Sequence, residues 1–362
     1  MKRLPLPLEP LIYPLAGLYK SIMSSRNLAF DRGWLPSHEV GRPVISIGNL
    51  TAGGTGKTPL TALLVEGFLR RGKRIGLVSR GYGGTEKGPA RVPGDGTAET
   101  ARRFGDETAW LAHRYPSVPV VIAAKRVEAA RLLIEECDGN IDLILADDAF
   151  QHRWLKRSLD AVVLDPTEPE WHYRPLPLGR TREGFDSLAR ADAVFLTKTN
   201  LAAESQVKWL LSQVARVAKA HKRHPLVFEL ESYIPFFLPL AGGRSMADLE
   251  SRSVSSFKGE RVLLVSGIGR PHTFARLIRN IVHAEVLEHL VFNDHHSYSE
   301  ANLAAIEARA VQLGAGAILV TEKDAVKMSN WRPRVPCWAS RLETRAKGDL
   351  GAFYEAVDRL LL

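Results

Sequence analysis

Gly53-Gly54-Thr55-Gly56-Lys57-Thr58 packs three glycines, an ammonium and two hydroxyls, the second directly after the lysine, into six positions. Glycines let backbone N–H groups curl around an anion, the lysine neutralises β- and γ-phosphates, and the second hydroxyl can ligate Mg²⁺. The spacing predicts a nucleotide-phosphate loop over Thr51, Ala52, Gly53, Gly54, Thr55, Gly56, Lys57 and Thr58, with Thr51 where the first glycine usually stands. A second cluster, Asp147-Asp148, ends an apolar run at 141–146. An acidic pair at the carboxyl end of a strand is placed to hold Mg²⁺ directly or through water. Gln151 and His152 follow and are expected in the same crevice.

Other candidates carry weaker signals. Thr197-Lys198-Thr199-Asn200 is similar to the Asn-Lys-x-Asp guanine reader of GTPases, but Asn200 replaces the acid that would accept from guanine. Gly105-Asp106-Glu107 precedes a helical pattern that its carboxylates could cap. Asp294-His295-His296 offers a carboxylate–histidine pair able to take a proton from a hydroxyl nucleophile. The loops Ser79-Arg80-Gly81-Tyr82-Gly83-Gly84 and Arg180-Thr181-Arg182-Glu183 carry guanidinium forks that match phosphate oxygens.

These groups need a scaffold, and residues 43–200 alternate strand-like and helix-like runs. Apolar runs at 44–47, 75–79, 118–123, 141–146, 161–164 and 193–196 read as buried strands. Between them, 59–71 places Leu60, Leu63, Leu64 and Phe68 on one helical stripe. Such alternation predicts an α/β fold: a P-loop NTPase-like, doubly wound, mostly parallel sheet. Residues 204–224 read as a basic helix, 225–233 as extended and 235–239 as a proline-rich bend. A second, smaller α/β pattern starts near 261. The predicted organisation is an N-terminal membrane-interface helix segment at 1–35, a P-loop core at 36–224, linker strands and a smaller lobe at 225–342, and a returning helix at 343–362.

The chain has 362 residues, 45% hydrophobic and 25% charged, which excludes disordered, collagen-like and polytopic membrane classes. Lys and Arg number 49 against 40 Asp and Glu, a formal net charge of +9. That surplus asks for an anionic partner. Two cysteines exclude a disulfide framework. Near the N-terminus an apolar run at 11–19 is interrupted by Pro14 and Lys20 and is too short to span a bilayer. It fits either a membrane interface, with Lys20, Arg26 and Arg32 facing lipid phosphates, or a helix packed on its own domain.

Together the motifs resemble one family, the tetraacyldisaccharide 4'-kinases of lipid A biosynthesis. The carriers are Ser46-Ile-Gly-Asn-Leu-Thr-Ala-Gly-Gly-Thr-Gly-Lys-Thr-Pro59, Ser79-Arg-Gly-Tyr-Gly83, Gly105-Asp-Glu107, Asp147-Asp-Ala-Phe-Gln-His152, Ser266-Gly-Ile-Gly-Arg-Pro271, Asp294-His-His296 and Thr321-Glu-Lys-Asp-Ala325. The resemblance implies transfer of the ATP γ-phosphate to the 4'-hydroxyl of a tetraacylated glucosamine disaccharide 1-phosphate, giving lipid IVA. It implies ATP and Mg²⁺ as cofactors and residence at the cytoplasmic face of the bacterial inner membrane, peripheral or interfacially anchored. Lys57 and Thr58 would serve ATP and Mg²⁺, and Asp147 and Asp148 the metal. Gln151 and Glu183 complete the expected metal set, and Arg182 sits near the phosphates. Asp106 would be the base, assisted by His295. Strands at 225–233 and 335–342 would link the lobes. The family's motifs usually have glycine at Ala149, proline at Thr108 and prolines around Arg182-Glu183.

Partners follow from the same reading: the lipid A disaccharide 1-phosphate and an anionic membrane surface, with no nucleic acid, acting as a monomer. Two other classes compete. A metallochaperone-type GTPase shares the loop and the 197–200 segment but requires a Cys/His-rich loop that the sequence lacks. A membrane-partitioning ATPase switch shares the loop and a basic N-terminus but carries a signature lysine where Ala52 stands.

Overall fold

The computed structural model describes residues 9–240, 250–294, 296–328 and 331–361. It divides into two compact units, Met1–Glu231 with Ala346–Leu362, and Ser232–Arg345. In the first unit the strands are β1 (Val44–Asn49), β2 (Ile75–Ser79), β3 (Ala90–Arg91), β4 (Val120–Ile122), β5 (Leu143–Asp147), β6 (Leu159–Leu164), β7 (Ala193–Leu196) and β8 (Leu226–Tyr233). With β15 (Glu343–Ala346) they form a sheet of order β15-β8-β7-β6-β1-β5-β2-β4-β3. The neighbours from β8 across to β4 pair in parallel, and β3 runs antiparallel to β4.

Every residue of β1, β2, β5, β6 and β7 is buried. That is what apolar strands covered on both faces require. One face packs Leu60, Leu64 and Phe68 of α2 (Lys57–Arg70) with Phe353 and Val357 of α10 (Gly351–Asp358). The other carries α5 (Arg126–Glu136) and α6 (Glu204–His221), through Leu133 and Leu210 among others. α3 (Ala98–Phe104) and α4 (Asp106–Arg114) pack Phe104 and Leu111 into the same cluster as α2. β1 lies between β5 and β6, with Ile47 opposite Asp147. The run expected at 141–146 thus slides by one residue at its end, and Asp147 belongs to the strand.

The first helix corrects one expectation. α1 (Glu9–Asp31) runs straight through Pro14. The proline removes one early hydrogen bond, while tertiary contacts hold the rest. Ala16, Tyr19, Met23, Arg26 and Phe30 recur at three- and four-residue spacing and form the inward stripe. Ala16 and Phe30 are buried, Phe30 meets Trp154 edge-on at 5.2 Å, and the Tyr19 hydroxyl donates to the Arg182 carbonyl at 3.1 Å. Arg26 does not face lipid: it donates to the Gln151 carbonyl at 2.7 Å and stacks over Trp154. Leu15, Leu18 and Ile22 stay 56%, 59% and 57% exposed on the opposite stripe. Among the described residues no helix is long and apolar enough to cross a membrane.

The second unit is a six-stranded sheet of order β10-β9-β14-β13-β11-β12. Its strands are β9 (Phe236–Pro239), β10 (Arg252–Ser253), β11 (Arg261–Ser266), β12 (Glu285–Val291), β13 (Ala317–Thr321) and β14 (Cys337–Ser340). The expected bend at 235–239 is therefore a strand. Pro239 is tolerated at its end, where Leu240 supplies the next N–H to the Cys337 carbonyl at 3.0 Å. The segment at 335–342 mostly belongs to this sheet as β14, and the strand beside β8 is β15. Helices α7 (Pro271–Leu277), α8 (Glu300–Leu313) and α9 (Glu322–Lys327) complete the unit. At the carboxyl ends of β11 and β13, buried Asp324 accepts from the Gly267 N–H at 3.1 Å, the Tyr298 hydroxyl at 3.0 Å and the Thr321 hydroxyl at 2.6 Å.

Candidate active site

The glycine-rich loop connects β1 to α2 at the carboxyl edge of the first sheet, between strands that cross to opposite sides. Such a switch point is where open α/β sheets bind ligands. Gly53 and Gly56 take φ of 115° and 93°, and Gly56 caps α2 with no side-chain bond to the helix N–H groups. A helix of 14 residues thus opens on unsatisfied donors and the positive end of its dipole. Asn49 steadies the loop, donating from Nδ2 to the Thr55 hydroxyl at 2.7 Å. The 180–183 loop is pinned beside it: Ala52 N–H donates to the Arg180 carbonyl and Arg182 N–H to the Leu50 carbonyl, both at 2.8 Å. Backbone pairing therefore delivers Arg182 to a site about 130 residues away in sequence.

Lys57 Nζ lies 3.4 Å from Asp148 Oδ1, and one Arg182 nitrogen lies 3.0 Å from each Asp148 oxygen. Burial pushes the Asp148 carboxyl up, but Lys57 and Arg182 outweigh it and hold it down to about 2. Asp147, fully buried, goes the other way. Burial and then the nearby charge of Glu107 push it up to about 7, against the pull of Lys57. One carboxyl is firmly ionised and its neighbour is poised to ionise when positive charge arrives. The Thr61 hydroxyl also approaches Asp147, at 3.4 Å.

Arg126 was not singled out by the sequence, yet it is buried here at the start of α5. Its guanidinium reaches the Asp148 and Ala124 carbonyls at 3.4 and 3.3 Å, and burial lowers its pKa to about 10 despite Asp148 and Asp147. Arg80 and Arg182 add repulsion to it. His152 sits by this cluster, held neutral by burial and then Arg126, down to about 4. Three guanidiniums and Lys57 around two carboxylates make a site that attracts polyanions.

Asp106 and Glu107 form the first turn of α4, with Gly105 as its cap. Their carboxylates stand at the positive end of the helix dipole, and the charge of Glu107 also acts on Asp147. Gly105, at φ 94°, lies so near Tyr82 that an added Cβ would stand 2.5 Å from its carbonyl oxygen. Only glycine lets the 79–84 loop press against the Asp106 turn.

Glu183 is not gathered with the acidic pair. Its carboxylate pairs with Arg190 at 2.5 Å and lies 4.0 Å from Arg26. Gln151 donates to the Asn49 carbonyl at 2.9 Å. Gln151 Oε1 and Glu183 Oε1 are buried oxygens that accept no hydrogen bond. Among the described residues no three acidic or histidine side chains converge on one cation position. Two adjacent carboxylates and the Thr58 hydroxyl nonetheless suit Mg²⁺, which commonly takes one or two carboxylates and completes its shell with substrate phosphates and water. His295 lies outside the described residues. Lys198, in the segment similar to a guanine reader, is buried beneath the loop, bonded to Asp165 at 2.5 Å and to the Gly54 carbonyl at 3.2 Å.

A parallel sheet with an anion-binding loop at its switch point, a buried acidic pair and converging guanidiniums defines a P-loop phosphotransferase. The family model for tetraacyldisaccharide-1-P 4'-kinase matches residues 8–361. A tetraacyldisaccharide 4'-kinase of Bdellovibrio bacteriovorus is 34% identical over 350 residues, 96% of this chain and 98% of its own. One of Chlorobium luteolum is 37% identical over 325 residues, 89% of this chain and 87% of its own. The crystal structure of the "apo" form of LpxK from Aquifex aeolicus in complex with ATP superposes with a TM-score of 0.72 at 25% identity, covering 98% of this chain and 100% of that one. The chain belongs to the tetraacyldisaccharide 4'-kinase family, phosphotransferases acting on a hydroxyl group. The GTPase and partitioning-ATPase readings are not favoured.

Proposed function

We propose that this protein transfers the γ-phosphate of ATP to the 4'-hydroxyl of a tetraacylated glucosamine disaccharide 1-phosphate. The observation that carries the reading is the glycine loop opening α2, with Lys57 and Arg182 converging on Asp148 beside it. Nucleotide phosphates would lie along the loop, and Lys57, Arg182 and Arg126 would neutralise charge as it develops on the transferred group. Thr58, Asp147 and Asp148 would hold Mg²⁺. Bound there, the ion would supply positive charge that offsets the charge of the transferred phosphate.

Asp106 would accept the proton of the 4'-hydroxyl as its oxygen bonds to the γ-phosphorus. The bond from that phosphorus to the bridging oxygen breaks, and ADP leaves with the electron pair. The stripe of Leu15, Leu18 and Ile22, with Lys20 nearby, would seat a monomer on the anionic cytoplasmic face of the inner membrane.

The test is transfer of labelled γ-phosphate to the lipid acceptor. Wild type should label the lipid at the 4' position. Asp106→Ala should lose transfer by at least a hundredfold while binding ATP within about threefold of wild type. Label released only to water would reject the kinase, and normal turnover in Asp106→Ala would reject the base.

A further inference from the structure

The 197–200 segment resembled a base reader, and the site described above leaves it without a task. Its position gives it one. Thr197, at the end of β7, is buried and donates its hydroxyl to the Thr55 carbonyl at 2.8 Å. Lys198 follows in the left-handed region, φ 57°, which turns its side chain back beneath the loop. There its ammonium reaches the Gly54 carbonyl at 3.2 Å and Asp165 Oδ2 at 2.5 Å. Asp165 is fully buried at the end of β6, and its other oxygen accepts from the Thr167 N–H at 2.9 Å and the Thr167 hydroxyl at 2.6 Å. Two consecutive carbonyls of the phosphate loop are thus tied to the neighbouring strands by side chains. A Cβ added at Gly56 would stand 3.2 Å from the Thr197 hydroxyl, so the fit is close.

A trans peptide is planar, with its carbonyl and the next N–H pointing in opposite directions. Fixing the Thr55 carbonyl toward Thr197 therefore aims the Gly56 N–H away from the sheet, toward the concave side of the loop. Fixing the Gly54 carbonyl restrains the preceding peptide, whose N–H, that of Thr55, bonds the Gly53 carbonyl at 2.9 Å. A loop with three glycines has the most backbone freedom to lose, so external ties lower the ordering cost that phosphate binding would otherwise meet.

We infer that Thr197, Lys198 and Asp165 are positioning residues that preorganise the phosphate loop, reading the loop's backbone in place of a nucleotide base. The inference rests on the nucleotide assignment above. Thr197→Val replaces the hydroxyl by a methyl of similar size, and Thr197→Ser restores the donor. ATP dissociation constants, Michaelis constants for ATP and for the lipid acceptor, and unfolding temperature without nucleotide should be measured for each.

Thr197→Val should weaken ATP binding about fivefold to tenfold and raise the ATP Michaelis constant with it, the scale of one lost hydrogen bond. The lipid Michaelis constant should stay unchanged, and Thr197→Ser should return ATP binding to within about twofold of wild type. Unaltered ATP affinity in Thr197→Val, or a lowered unfolding temperature with unaltered ATP affinity of the folded protein, overturns the inference. If Thr197→Val does not fold, Asp165→Asn carries the test. It keeps the oxygen that Thr167 needs and removes the charge that holds Lys198. At least a threefold loss of ATP affinity supports the brace, and a smaller change overturns it. Failure of wild type to bind ATP at all would instead overturn the nucleotide assignment.

Discussion

Neighbouring residues of one type do opposite things in this protein because their surroundings differ. Asp147 and Asp148 are adjacent, yet Lys57 and Arg182 keep one ionised while burial and Glu107 raise the other. The same logic applies to His289 on β12, which shares a 2.8 Å hydrogen bond with buried Ser266. Burial, then Arg279, lowers its pKa below 6.5. In the unfolded chain this imidazole binds a proton near pH 6.5, whereas in the fold it does so only at lower pH. Between those values the unfolded state holds more protons, so stability should fall as pH drops below about 6.5. His289→Gln keeps a hydrogen-bonding group for Ser266 and removes the titration. Urea midpoints measured from pH 7.5 to 5 should decline less steeply in this variant than in wild type; parallel curves would reject the assignment.

At the scale of elements, the contiguous motif was legible and the assembled one was not. The loop, its strand and the helix opened by Lys57 follow from local spacing alone. Arg126 stands first in α5 with no motif around it, and only the β4–β5 neighbourhood makes it a buried cation facing Asp148. Glu107 lay inside a recognised motif, but its effect on Asp147 depends on how α4 is set. The place of Lys198 was not legible, because short polar segments do not reveal where a left-handed residue turns its side chain. The bend at 235–239 became a strand because pairing with β14 overrides local proline preference. α1 packs one stripe on its own unit and leaves the opposite stripe exposed. Leu18→Glu with Ile22→Glu changes only exposed positions, so folding and ATP binding should persist. Co-sedimentation with vesicles containing anionic lipid should fall about tenfold or more, since each side chain forfeits its apolar burial in the interface. Retained sedimentation would show that the stripe does not seat the protein.

For the whole molecule, chain order and spatial order differ: residues 232–345 form their own unit, and the final segment returns to complete the first. That return is structural. Phe353 is fully buried against Phe68, Phe195 and Phe228, with ring centroids 6.5, 5.4 and 6.4 Å away. Tyr354 meets Phe68 edge-on at 5.1 Å and lies over Gly67, where an added Cβ would stand 1.8 Å from its hydroxyl oxygen. The helix bearing the phosphate loop thus rests on residues from the far end of the chain, so the first unit cannot complete its core until the last turns are made. Phe353→Ala should lower stability by about 3–5 kcal/mol, the cost of a large cavity in an aromatic core. Because α2 itself packs on this ring, the loss should appear in the unfolding transition that saturating ATP shifts upward in wild type. Urea unfolding with and without ATP measures both quantities. A loss below about 1 kcal/mol, or one confined to a transition that ATP does not shift, would mean that the C-terminal helix is an accessory to the nucleotide unit and not part of its core.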